Sequence, residues 1–141
     1  MGRILGIDFG IARIGLAISD ERHQIALPLK TIPGAKSLKT AVKNLVEALK
    51  GFDYTIELIV IGHPIMMSGK PSPMSIQVEE FAKLLKEELS LPIKLWDERL
   101  SSAQADRSLK EMQLNRKKRA KQVDVVAASM ILQNYLDCQG L

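Results

Sequence analysis

The sequence is poor in the features that mark secreted, disulfide-stabilised or membrane proteins. Its 141 residues include a single cysteine, Cys138, so no disulfide can form within the chain, and a reducing compartment is expected. The first apolar run, Ile4 to Ile7, is short and ends at Asp8, which is not typical of a signal peptide. No apolar stretch approaches the length of a transmembrane helix. We therefore expect a cytoplasmic protein that does not contact a membrane.

Internal repeats and low-complexity segments are also absent. The length suits one domain, residues 1–141, that can bury its own hydrophobic core. Hydrophobic residues make up 46% of the chain and charged residues 26%, a balance that is ordinary for a soluble globular protein and excludes a disordered one.

The positive charge is concentrated in one segment. The net charge is +4, but residues 107–121 alone carry +6, so the rest of the chain sums to −2. A cluster of this kind favours contact with a phosphate backbone, whereas the alternative is a solvated loop that only aids solubility. The segment contains one acid, Glu111, and seven basic residues: Arg107, Lys110, Arg116, Lys117, Lys118, Arg119 and Lys121.

The pattern of apolar residues predicts an α/β chain. Alternation and short apolar runs predict strands at 3–8, 14–19, 25–32, 58–61 and 93–97, with Pro28 restricting the third to an edge or a bulge. Helical spacing and capping signals predict helices at 37–50, 72–89, 101–112 and 122–137, with loops at 63–71 and across the basic segment. The order βββ-α-β-α-β-α-α implies a mixed five-stranded sheet with helices on both faces, which is the layout of an RNase H-like domain.

Three carboxylates interrupt apolar segments near the predicted element ends. Asp8 closes the first strand, where a carboxylate needs a partner or a cation, although it could also cap the turn at Gly10. Asp97 and Glu98 follow the fifth strand on opposite faces, so only one of them can serve a shared site. Asp124 lies near the start of the last helix, where the helix dipole offers an alternative explanation for an acid.

These carboxylates suit a divalent cation if the fold brings them together. Small residues, including Gly6 on the first strand and Ala127 and Ala128 on the last helix, would allow a close approach that brings Asp124 towards Asp8. Mg²⁺ or Mn²⁺ take oxygen ligands and clamp the attacking and leaving oxygens of a phosphodiester. His63 is a weaker candidate for a general base or a metal ligand, because a partly exposed loop position also explains it. Trp96 could stack a base, but it equally suits a position in the core or at its rim.

Four segments resemble the YqgF/RuvX family in order and spacing across essentially the whole chain. They are DFGIARIGLA at 8–17, GHPIMMSG at 62–69, DERLSS at 97–102, and VDVVAA at 123–128 followed by Tyr135-Leu136. The resemblance implies an RNase H-like (RuvC-like) fold and a nuclease that trims the 5′ end of precursor small-subunit ribosomal RNA. It also implies Asp8, Glu98 and Asp124 as the catalytic and metal-binding triad, and so favours Glu98 over Asp97.

The departures from the family pattern surround this triad. Ile11 stands where the family commonly has Thr, and Ala12 where it has a basic residue. In the segment 62–69, His63, Met66 and Ser68 replace Leu, Asn and Asp. The remaining expected phosphate partners are Arg13, Arg99, Arg116, Lys117, Lys118, Arg119 and Lys121.

Three other functions fit parts of this pattern. The protein, which we expect to be a monomer or a homodimer, could cut branched DNA junctions instead of RNA, although junction resolution needs two paired active sites. Alternatively, it could be a non-catalytic module that binds nucleic acid or assembling ribosomes. The triplet Asp8-Phe9-Gly10 also occurs in nucleotide-binding loops and in kinases, but the further phosphate motifs of those proteins are absent here.

Overall fold

The computed structural model describes residues 2–65, 68–98 and 116–139, with only the backbone described for 116–124. The predicted helix at 101–112 therefore lies outside the described residues, as do Arg99, Met66 and Met67. The described elements, in chain order, are β1 (Arg3–Asp8), β2 (Arg13–Ser19), β3 (Ala26–Pro33), α1 (Leu38–Lys50), β4 (Ile56–His63), α2 (Pro73–Glu88), β5 (Ile93–Asp97) and α3 (Arg116–Gln139).

The five strands form one mixed sheet in the order β3-β2-β1-β4-β5. β1 pairs antiparallel with β2 and parallel with β4, and β4 pairs parallel with β5. Because β2 and β3 are also antiparallel, β1, β3, β4 and β5 all end at the same edge of the sheet. We call this the carboxyl edge. The expected mixed sheet is confirmed.

The edge position of β3 follows from its proline. Pro28 pairs with Ala17, and the β2–β3 register shifts between Leu16 and Ala17, so the strand carries both an edge position and a bulge. Both outcomes were predicted, since a proline has no N–H to donate to a central strand. The strand itself extends from Ala26 to Pro33, one residue later at each end than predicted.

Local signals account for α1 and α2. Gly51 closes α1 with backbone bonds to Ala48 and Leu49. Ser72 caps α2, accepting from the Ser75 N–H, while Ser75 Oγ accepts from the Ser72 N–H, and Pro73 occupies the first turn. These helices cover the sheet face that bears Leu5, Ile7 and Phe9, and they agree with the prediction to within one residue at either end.

The last helix corrects the sequence prediction. α3 begins at Arg116, six residues before the predicted start at 122, so the basic residues 116–121 belong to a helix and not to a loop. Lys, Arg, Ala and Gln are strong helix formers, and no Gly or Pro interrupts 116–139. β4 is likewise longer than predicted and includes His63, so the following loop begins at Pro64.

α3 covers the other face of the sheet and runs antiparallel to β1. Gly6 lies beneath it: a Cβ added there would be 2.7 Å from Leu132 Cβ and 3.2 Å from the Ala128 carbonyl oxygen. Ile4, two residues earlier on β1, packs in the same cluster as Leu136, one helical turn after Leu132. The N-terminal part of α3 is therefore directed towards the carboxyl edge. Within the described residues, no helix combines the length and apolarity that crossing a membrane requires.

A carboxylate organises the β2–β3 turn at the opposite edge. Asp20 Oδ1 accepts hydrogen bonds from the backbone N–H groups of Gln24 (2.7 Å) and Ile25 (3.0 Å). These bonds favour the charged form and lower the pKa of Asp20 below its usual 3.8. The charged carboxylate therefore contributes to stability above the unfolded-state pKa, and this contribution is lost as pH falls through the lower folded-state pKa.

The turn should consequently respond to acid only as pH falls below the usual pKa of an aspartate. We expect the amide proton shifts of Gln24 and Ile25 to titrate together, with a midpoint below 3.8, in NMR spectra recorded as a function of pH. In Asp20→Asn, a side chain without the titrating group, the same two amides should show no such step. The Phe52 amide, which bonds to the Leu49 carbonyl, serves as a control. A midpoint above that of an unperturbed aspartate would contradict this account.

Candidate active site

Asp8 lies at the carboxyl edge on the α3 face of the sheet. Its neighbours Ile7 and Phe9 are buried in the core on the other face, where Phe9 packs on Phe81 with ring centroids 4.6 Å apart. Strand alternation therefore directs Asp8 to the side of Gly6 and α3. Asp8 pairs with Gly15 of β2 and is only 6% exposed. A carboxylate is thus held rigidly in a poorly hydrated position.

Glu98 reaches the same face from two strands away. It follows β5 directly and is also only 6% exposed. Its Cγ and Cδ atoms lie 3.2 Å from the position that a Cβ on Gly62 would occupy. Gly62 follows Ile61, which pairs with Ile7 of β1, so the Glu98 carboxyl group lies over the strand adjacent to Asp8. Neighbouring strands are ~5 Å apart, which places the two carboxyl groups within reach of one cation.

Gly62 is the residue that sequence reasoning missed. A side chain here would meet Ile131 Cδ1 at 2.5 Å as well as Glu98. The available signal was a glycine at the end of a buried strand, which often marks a close approach by another group.

Asp97 and His63 belong to the opposite face. They pair across β4 and β5, on the side that faces α2. His63 Nε2 is buried without a hydrogen-bond partner in the described part of the chain, and Glu79 Oε1 lies 3.7 Å from it. The structure therefore brings Glu98, and not Asp97, to the face that carries Asp8.

Trp96 has a structural position. Its ring meets Tyr135 of α3 edge-on, with centroids 5.4 Å apart, and its indole N–H donates to Asn134 Oδ1 at 2.9 Å. The polar atom and one edge of the ring are thus occupied by α3.

Asp124 lies on α3 one turn before Ala128, on the stretch that continues from Gly6 towards the carboxyl edge. Its side chain lies outside the described residues, so its place in the triad stays a prediction. Arg13 is exposed at the start of β2, two residues before the partner of Asp8. The backbone of Arg116, Lys117, Lys118, Arg119 and Lys121 forms the first turns of α3.

The donor chemistry of the described site fits a hard divalent cation. Both acids that it brings together carry oxygen ligands, both are largely buried, and Gly62 leaves room for the carboxyl group that covers it. No group of three or more His, Cys, Asp or Glu residues able to hold a metal occurs in the described ranges, which exclude the Asp124 side chain. Residues 8 and 98 would thus provide two ligands of the expected three.

Comparison with known proteins identifies the family. The sequence model of RuvX, described as Holliday junction resolvase, matches residues 2–138. A relative from Protochlamydia amoebophila, named "Putative pre-16S rRNA nuclease", is 54% identical and aligns over 96% of this chain and 93% of its own. Relatives of the same name from Desulfitobacterium hafniense and Clostridium novyi are 46% and 44% identical, with 96% of this chain covered in each case.

Solved structures agree on the fold. Thermus thermophilus RuvC in complex with a Holliday junction matches with a TM-score of 0.55 over 99% of this chain and 97% of its own, at 11% identity. A second structure of T. thermophilus RuvC gives the same TM-score at 15% identity. The expected RNase H-like fold is therefore confirmed, and with a whole-chain match to the family and close relatives named as nucleases, this chain belongs to the RuvX family of RNase H-like nucleases.

Proposed function

We propose that this chain is a metal-dependent hydrolase that cuts phosphodiester bonds in the 5′ region of precursor 16S rRNA, acting as one domain over residues 1–141 in the cytoplasm. The observation that carries the proposal is the position of Glu98, whose carboxyl group covers Gly62 beside the buried Asp8. A cation would stabilise two acids that are both buried on the same face of the sheet, at the ends of β1 and β5 with β4 between them. The names of the relatives support the choice of RNA.

Each residue has a distinct task in this mechanism. Asp8 and Glu98, with Asp124 as third ligand, hold Mg²⁺ or Mn²⁺. Bound to such a site, an ion of this kind supplies a nucleophile at neutral pH and neutralises the charge that develops on the phosphodiester. Arg13, Arg99 and the basic residues 116–121 bind flanking phosphates and align the scissile bond. The apolar packing of Ile131 over Gly62, on the same face as Asp8 and Glu98, keeps bulk water away and so strengthens these charge interactions.

A cleavage assay with the purified chain tests this function. A fragment that spans the 5′ leader of precursor 16S rRNA should be cut in Mg²⁺ or Mn²⁺ and left intact in EDTA, with products mapped at nucleotide resolution. An RNA fragment of the same length, taken from within mature 16S rRNA, serves as the control. A folded protein that binds the fragment without cutting it in either metal would overturn the proposal and leave a binding module.

Junction resolution is the second candidate, because the family is described by that activity. It requires two active sites that cut opposite strands. The same assay with a four-way DNA junction, combined with light scattering, separates the alternatives. Paired nicks by a dimer would favour the junction, whereas cleavage of the RNA leader by a monomer would favour ribosomal RNA.

A further inference from the structure

All described helices begin at the carboxyl edge. β3 and β4 end there and are followed by α1 and α2, and α3 runs antiparallel to β1, so its first turns also lie at that edge. The positive ends of three helix dipoles therefore converge on the edge that carries Asp8 and Glu98. This arrangement disfavours cationic side chains in the first turns.

Lysines nevertheless lie just before α1 and in its first turns. From Gly34 to Val46 the sequence contains Lys36, Lys39 and Lys43 and no acid. All three lysines are exposed, and within the described ranges none of them forms an ion pair. Lys50, at the other end of the helix, differs because it pairs with Glu47 at 3.1 Å. We call Lys36, Lys39 and Lys43 the α1 lysine row.

The start of this row is fixed to the active site. The Gly34 N–H donates to the Ala12 carbonyl oxygen at 3.0 Å, and Gly34 lies directly against the Ile11 carbonyl, so that no side chain would fit. Residues 10–12 belong to the segment that connects Asp8, at the end of β1, to the start of β2. Lys36 is two residues beyond Gly34, within ~7 Å of chain. Lys39 and Lys43 continue one turn apart, ~6 Å along the helix.

We propose that the α1 lysine row is a second phosphate-binding surface for the nucleic acid substrate, on the sheet face opposite α3. This inference rests on the proposed function, since it requires a polyanion at the carboxyl edge. A strand bound both here and at residues 116–121 crosses the edge between two basic surfaces, with Asp8 and Glu98 between them. Lysines placed against a helix dipole are stabilised by phosphate, which reverses the local charge.

The far end of the surface carries acidic as well as basic side chains. A groove of about 660 Å³ beside α1 is lined by Lys39 and Lys43 and also by Glu87 and Glu88 at the end of α2. These acids repel a phosphate backbone and so limit its path to the first turns of α1. The surface is therefore directional, basic near the active site and mixed away from it.

Salt-dependent binding tests the proposal. In the variant Lys36→Ala/Lys39→Ala/Lys43→Ala, the slope of log K against log salt for a long single-stranded RNA should fall in magnitude by about two, since three phosphate contacts each contribute ~0.7. The matched control, Lys50→Ala/Lys83→Ala/Lys86→Ala, removes the same charge from exposed positions elsewhere on α1 and α2. Its slope should stay within error of the wild type, as measured by fluorescence anisotropy.

The outcomes separate this surface from the nuclease activity. Any of three results would overturn the proposed phosphate-binding surface. The slope could be unchanged in the first variant, it could fall equally in both variants, or the wild type could bind no RNA. A wild type that cuts nothing but shows the expected difference in slope overturns the nuclease and supports the surface. Cleavage of a short RNA that covers only the active site should proceed in the first variant at the wild-type rate.

Discussion

Asp8→Asn is expected to reduce metal-dependent cleavage by a factor on the order of 10³ or more, because loss of a ligand carboxylate removes several kcal/mol of transition-state stabilisation. The substitution keeps the shape of a side chain that is 6% exposed at the end of a central strand. It also removes one of two neighbouring negative charges. The unfolding temperature in EDTA should therefore stay the same or rise, so that lost activity is not explained by lost structure.

Metal binding gives an independent measurement of the same prediction. Mg²⁺ or Mn²⁺ should raise the unfolding temperature of the wild type through binding to the folded state alone, and Asp8→Asn should weaken this shift. Glu98→Gln should behave in the same way. Asp97→Asn is the matched control, since its side chain lies on the α2 face. Cleavage that survives both Asp8→Asn and Glu98→Gln would eliminate the proposed site.

Gly6→Ala is expected to produce the largest loss of stability among single methyl additions in the described sheet. The new Cβ would lie 2.7 Å from Leu132 Cβ and 3.2 Å from the Ala128 carbonyl oxygen, both on α3. Neither atom is the end of a flexible side chain, so the helix must move. Overpacking of this kind costs ~1–3 kcal/mol, which corresponds to a fall of roughly 3–9 °C in unfolding temperature.

Gly51→Ala provides the control for Gly6→Ala. The added Cβ would meet only the Ala48 carbonyl oxygen, at the ordinary distance of 3.6 Å, and φ is −86°. We expect a change within about 1 kcal/mol, of either sign. Calorimetry measures the unfolding temperatures of the two variants. Equal values would contradict the expected loss of stability and would show that the contact between β1 and α3 tolerates a methyl group.

The regular elements could be predicted because each has a strong local signal. Correct elements followed from the alternation of residues 14–19, from the buried run before His63 and from the Ser72-Pro73 start of a helix. Pro28 indicated an edge strand. The predicted start of α3 was wrong because the run of basic residues before residue 122 was interpreted as a loop. Helix propensity of Lys, Arg and Ala decides the outcome there.

The arrangement of the site depended on contacts that no local pattern contains. Alternation placed Asp97 and Glu98 on opposite faces but did not determine which face receives α3. That choice follows from the packing of Trp96 on Tyr135 and from the space above Gly62. Sheet order and helix direction are long-range properties. The choice of Glu98 over Asp97 as the residue that shares a site with Asp8 could therefore be inferred beforehand only from the family resemblance.

The irregular edge strand has a consequence for how the protein behaves at high concentration. An exposed β-edge usually offers a ladder of N–H and C=O groups to a second chain and so promotes aggregation. In β3, Pro28 interrupts the row of donors, the bulge beside it alters the spacing, and Lys30 places a charge on the exposed strand. This edge is therefore a poor template for intermolecular β-pairing, and Pro28→Val would be expected to increase aggregation during concentration or refolding.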